Sequence, residues 1–219
     1  SLQNLLGDTQ VTKFAAGADI RAEGAWVKCK GHPDIIVAVL DEGVDVTHPD
    51  LKDNMWVNEG EVFGSIDDAD GNGYAGDRHG YNFVKQTGKI TVNSRYDTGH
   101  GSHVAGAVAA RNNNGLGIKS IAGGDGSADS GVRIMSCQIF AGEYVGTLLD
   151  EVRAIKYAAD NGAVILQCSW GYTSGAANPY DWGQQFATDE EWELYNPLEK
   201  QALDYFVETA GSASGVIEG

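Results

Sequence analysis

Two side chains far apart in the chain could handle a proton together. Asp41 directly follows the run Ile35-Ile-Val-Ala-Val-Leu40, and His100 lies in Asp97-Thr-Gly-His-Gly-Ser-His-Val-Ala-Gly106. A carboxylate can orient an imidazole and stabilise its protonated form, and the imidazole can act as a general base near neutral pH. Taken alone, Asp41 also reads as a turn or helix cap ending a strand, with Asp41-Glu-Gly43 forcing the turn. His100 is the more distinctive of the two. Gly99 and Gly101 hem it in, so backbone and substrate can come close, and Val104, Ala107 and Val108 supply an apolar face for a helix that starts near it. His103 competes with it inside the same motif.

A second constellation lies at residues 67–77, Asp-Asp-Ala-Asp-Gly-Asn-Gly-Tyr-Ala-Gly-Asp. Asp68, Asp70 and Asn72 alternate, Tyr74 can offer its backbone carbonyl, and Asp77 follows. Hard oxygen ligands at every second residue, with glycines for a sharp turn, suit Ca²⁺. The closing glutamate of an EF-hand is missing, so this is not that motif. A solvated, Asx-rich turn is the competing reading.

Both sets need a scaffold. Residues 35–40 are continuously apolar and β-branched, as in a parallel strand buried on both faces. Residues 132–139 and 163–168 read the same way. Between them, Leu148, Leu149, Val152, Ile155 and Ala159 share one helical face, and Asn161-Gly162 supplies a stop. Strand, helix, strand of this length predicts a right-handed βαβ unit with parallel pairing. Further helices are expected over about 100–110 and 197–208. The stretch 172–196 is aromatic, acidic and aperiodic, and reads as a surface insertion. No repeat or linker divides the 219 residues, so a single domain over 1–219 is expected.

Composition narrows the function classes. With 15 basic and 31 acidic residues the formal net charge is −16, which repels phosphate backbones and argues against nucleic acid as a partner. No apolar stretch reaches membrane-spanning length, so no membrane partner is expected. The three cysteines, Cys29, Cys137 and Cys168, form neither a disulfide framework nor a zinc cluster; Cys137 and Cys168 lie in apolar runs and are expected as buried thiols.

Four blocks of the sequence together resemble one family. Residues 35–51, Ile-Ile-Val-Ala-Val-Leu-Asp-Glu-Gly-Val-Asp-Val-Thr-His-Pro-Asp-Leu, resemble the aspartate motif of subtilisin-like serine peptidases. Gly99-His-Gly-Ser-His-Val-Ala-Gly106 resembles their histidine motif, with Ser102 where threonine is usual. Residues 112–123 and 158–171 resemble two flanking blocks, and all four occur in family order. The resemblance implies a three-layer α/β/α fold with a mainly parallel central sheet, and an Asp–His–Ser triad in which Asp41 orients His100. It makes His103 structural, while His48 holds a turn. Ser169, Trp170 and Gly171 match the segment that pairs with an extended peptide substrate, and Gly142 to Gly146 falls on the opposite rim of that cleft. Trp170 reads alternatively as a core aromatic. The Asp-rich loop resembles one that precedes the histidine motif in many members, with Gly76 where another aspartate is common. The chemistry itself would require no cofactor. Extracellular or cell-envelope localisation follows from the family.

The resemblance stops short of the nucleophile. Nothing here matches the family's Gly-Thr-Ser-Met/Ala-Ala motif or its Ala-Gly-Asn oxyanion motif; Gly211-Ser-Ala-Ser-Gly215 follows a predicted helix, which is the wrong setting for a nucleophile at Ser212 or Ser214. The expectation is a peptidase domain truncated before those motifs. Its remaining C-terminal part, missing or on a separate chain, would be a partner, and this chain alone would be inactive. The alternatives are a non-catalytic peptide-binding domain and a calcium-dependent structural domain.

Overall fold

The computed structural model describes residues 19–92, 97–171, 186 and 188–210. Among these residues, five strands, β1 (Ile36–Glu42), β2 (Gly80–Asn82), β3 (Arg133–Ala141), β4 (Tyr144–Val145) and β5 (Ile165–Cys168), form one sheet. The order is β2-β3-β1-β5, all parallel, with β4 antiparallel on the end of β3. Helices are α1 (Ala22–Trp26), α2 (His100–Ala109), α3 (Leu148–Asp160), α4 (Asp189–Tyr195) and α5 (Pro197–Thr209).

The apolar run of β1 explains its central place. Parallel strands need crossovers that put helices on both faces, so a middle strand has no wet side. Val37 and Val39 face one layer with Ala105 and Ala109 of α2, whereas Ala38 and Leu40 face the other with Ala154, Ile155, Tyr157 and Ala158 of α3. The result is the three-layer α/β/α arrangement with a mainly parallel sheet. Leu40 is fully buried, and truncating such a side chain to alanine costs about 2–5 kcal/mol.

Helix α3 starts at a reciprocal cap. Thr147 N donates to Asp150 Oδ2 at 2.8 Å, while the Thr147 hydroxyl accepts from Asp150 N at 3.3 Å. It ends at Asn161, followed by Gly162 at φ +82°, as the sequence predicts. The buried face differs from the expected one. Ala154, Ile155, Tyr157, Ala158 and Ala159 are buried, while Leu148 and Leu149 are 37% and 49% exposed. Both leucines sit in the first turn of the helix. Cys137 is buried, but Cys168 is exposed, because β5 is the outer strand on its side among the described residues. The expected insertion contains α4, capped by Thr188; residues 172–185 and 187 lie outside the described ones.

Candidate active site

Asp41 lies near the carboxyl end of β1 and His100 at the first turn of α2. His100 Nδ1 is 2.7 Å from Asp41 Oδ1 and 2.9 Å from Oδ2. The Asp41 side chain is 2% exposed, against 47% for His100, so the carboxylate is sealed behind a ring that faces solvent. Glu42 N donates to Asp41 Oδ1 at 2.7 Å, fixing the carboxylate plane. The imidazole is held above its ordinary pKa, chiefly by the hydrogen bond to Asp41; desolvation opposes this, and the charges of Asp41 and Glu42 add to it.

Glycines make this approach possible. Gly99 adopts φ +77° at the helix entry. A Cβ on Gly101 would stand 2.1 Å from the Glu42 carbonyl oxygen, so the first turn of α2 rests directly on the end of β1. Farther along, Asp45 N donates to the Ser102 hydroxyl at 2.8 Å. His103, in contrast, points outward and is exposed. The His48 ring accepts from Asp50 N at 3.2 Å, closing the turn expected there.

The Trp170 indole N–H donates to the Leu40 carbonyl at 2.8 Å, and its ring meets Phe140 edge to face at 6.2 Å. It therefore ties the end of β5 to β1 beside Asp41, and half satisfies the core reading of this residue. A cavity of about 300 Å³ opens between it and α3, lined by Phe140, Gly146, Leu148, Glu151, Trp170 and Gly171. Three of the five expected cleft residues, Gly146, Trp170 and Gly171, thus face one space. The other two do not line it: Gly142 N donates to the Asp97 carboxylate, and the Ser169 hydroxyl accepts from Gln167. Glu151 was not anticipated. Burial and the neighbouring Glu199 carboxyl push it up to about 8.

In the Asp-rich loop the carboxylates that converge are Glu61, Asp70 and Asp77, each offering an oxygen within 4.8 Å of the others. Glu61 and Asp77 are buried. Asp77 accepts from Tyr157 Oη at 2.7 Å and from the amides of Asn58 and Asn72 at 3.0 Å each. Its pKa is raised by burial, against the opposing pull of those hydrogen bonds. Asp70 and Asp77, two of the five expected ligands, belong to this cluster. The Asp68 oxygens accept backbone N–H groups of Asn72 and Gly73, and the Tyr74 ring packs edge to face on Tyr81, Phe83 and Tyr157. Chain reversal brings Glu61 to the same loop, where its carboxylate accepts from Ala69, Asp70 and Gly76 N–H groups. No sequence signal marks a partner nine residues upstream of Asp70. Ser212 and Ser214 lie outside the described residues.

The fold and the site together define a parallel three-layer protein with an aspartate–histidine pair at the carboxyl edge of its sheet. The sequence profile of the Subtilase family matches residues 32–215, and the chain belongs to that family. It is 34% identical over 138 residues to subtilisin-like protease 1 of Plasmodium vivax, covering 62% of this chain and 20% of that protein. It is 30% identical over 156 residues to the halolysin-like extracellular serine protease Nep of Natrialba magadii, covering 71% and 24%. The crystal structure of a lanthipeptide protease shares the fold, with TM-score 0.50 and 21% identity over 85% of this chain and 40% of that one. The chain thus spans about a fifth to a quarter of the length of these curated relatives. Among the described residues no helix is long and apolar enough to cross a membrane.

Proposed function

We propose that this chain supplies the aspartate–histidine half of a serine endopeptidase, with the nucleophilic serine and the oxyanion asparagine contributed by residues outside this sequence. The observation that carries the reading is the 2.7 Å contact between the buried Asp41 carboxylate and His100 Nδ1. With Nδ1 engaged, proton exchange falls to Nε2, on the solvent-facing side of the ring. His100 would take the serine hydroxyl proton as that oxygen attacks the scissile carbonyl, and return it to the leaving amine. Asp41 would hold the tautomer and stabilise the imidazolium. An extended peptide would lie between residues 142–146 and 169–171, bound largely through main-chain hydrogen bonds. The exposed β4 residues Tyr144 and Val145 fit such a rim.

Without the nucleophile the pair has nothing to activate, so this chain alone is expected to be inactive. The proteases among its relatives support a peptidase, and Nep, an extracellular protease, supports an extracellular setting. The test is a fluorophosphonate probe applied to the full-length gene product. Labelling of a serine beyond residue 219 is the expected result. A full-length product that binds peptides but never labels would make the domain a binding module instead.

We further propose that Glu61, Asp70 and Asp77 hold Ca²⁺. Three carboxylates with hard oxygen donors fit that ion, and two of them are buried. The ion would supply the positive charge that offsets burial of Asp77 and Glu61; it takes no part in the acyl-transfer steps.

A further inference from the structure

We propose that Glu42 is a positioning residue for His100, holding the backbone at the start of α2 so that the imidazole stands against Asp41. The proposal rests on the peptidase reading only in what it says about rate; the geometry is independent of it.

Successive side chains on a strand point to opposite faces, so Asp41 and Glu42 should diverge. The register of β1 on β3 slips between them: Asp41 pairs with Gln138 and Glu42 with Phe140. Such an irregularity re-aims a side chain, and both carboxylates reach the entry of α2. Asp41 takes the ring. Glu42 takes the main chain: Oε2 accepts from His100 N at 2.9 Å, and Oε1 accepts from Thr98 N and Thr98 Oγ1, each at 3.2 Å.

Helix N-termini present N–H groups with no partner inside the helix. The usual remedy is a side chain at the N-cap, but that residue is Gly99, which has none. A carboxylate from the neighbouring strand takes its place, and the helix dipole favours a negative charge there. Gly101, pressed on the Glu42 carbonyl, leaves the helix start bracketed by the main chain and side chain of the same residue.

The charged groups acting on the imidazole are Asp41 and Glu42, both on β1. The N-terminal pole of α2 itself opposes protonation.

The experiment is a histidine side-chain NMR titration of the full-length gene product, with Glu42→Gln, Glu42→Ala and Thr98→Val compared. Glu42→Gln keeps the shape but puts an NH₂ group against N–H donors. The His100 midpoint is expected to move down and its Nδ1 proton resonance to broaden or vanish. Glu42→Ala should do the same more strongly, and Thr98→Val, which leaves the carboxylate on His100 N, should do so least. In peptide hydrolysis, kcat should fall about tenfold or more with KM near unchanged, as for a displaced catalytic group. If Glu42→Ala does not fold, Glu42→Gln decides. His100 resonances and midpoint unchanged in Glu42→Gln would overturn the proposal. A full-length protein that lacks peptidase activity altogether would remove the peptidase reading and leave the titration to judge Glu42.

Discussion

Replacing Gly101 with alanine separates two opposed effects by sign. In an ordinary helix, alanine is about 1 kcal/mol better than glycine. Here the new methyl would stand 2.1 Å from the Glu42 carbonyl oxygen and 2.8 Å from its carbon. Close carbon–oxygen contacts settle at about 3.3 Å, so the shortfall is roughly 1 Å. Neither side gives easily, since one is the end of a central strand and the other a helix start held by Glu42 and Asp41. Overpacking of this kind costs about 1–3 kcal/mol, which exceeds the propensity gain over most of that range. If the helix start retreats instead, the Nδ1 contacts at 2.7 and 2.9 Å lengthen beyond hydrogen-bonding range, and a shift near 1 Å can reduce a rate about 10²-fold. Urea unfolding of the full-length gene product reads the first outcome and kcat/KM on a peptide substrate reads the second. A variant that gains about 1 kcal/mol in stability and keeps its rate would refute the reasoning.

Tyr157→Phe removes the 2.7 Å donor to buried Asp77 and should cost about 1–3 kcal/mol in denaturant unfolding, with no change in helix content by circular dichroism. Chelation should lower the melting temperature if Ca²⁺ is bound, since a ligand at 100 times its Kd adds about 2.7 kcal/mol; Glu61→Gln should shrink that difference, and equal melting with and without chelator would remove the metal reading. Glu151, raised to about 8 by burial and by Glu199, penalises its own charged form, so stability should fall as pH climbs from about 4.3 toward the folded value. Glu151→Gln should flatten that slope and gain on the order of 1 kcal/mol at pH 8.5, a figure reduced for its partial exposure. His100 works in the opposite sense: its raised value means that pairing with Asp41 stabilises fully below the unfolded pKa of about 6.5 and fades as pH passes the folded one. Asp41→Asn should abolish that dependence in pH-resolved melting curves.

The parts legible in the sequence were those encoded by period or by motif. The apolar run 35–40 announced a doubly buried strand because parallel strands leave no wet face, and Asn161-Gly162 announced a helix end because the left-handed conformation there favours glycine. The pairing of Asp41 with His100 was legible through motif order and not through spacing. What escaped depended on contacts between distant segments. Glu42 looked like half of a turn, since the register slip on β3 that redirects it has no local signature. Glu61 joined the loop carboxylates only through chain reversal. The partial exposure of Leu148 and Leu149 escaped because helical period says which residues share a face, but not how deeply each turn is covered.

Having oil on both sides of β1 removes a safeguard that most strands possess. Where one side is wet, a one-residue slip exposes greasy side chains and is rejected by solvent alone. Val37 and Val39 could exchange places with Ala38 and Leu40 and still be dry. Beyond side-chain fit, discrimination comes from polar fasteners at the strand's far end, the indole on the Leu40 carbonyl and the paired acids gripping α2. In this chain the residues nearest the chemistry therefore also keep count for the middle of the sheet.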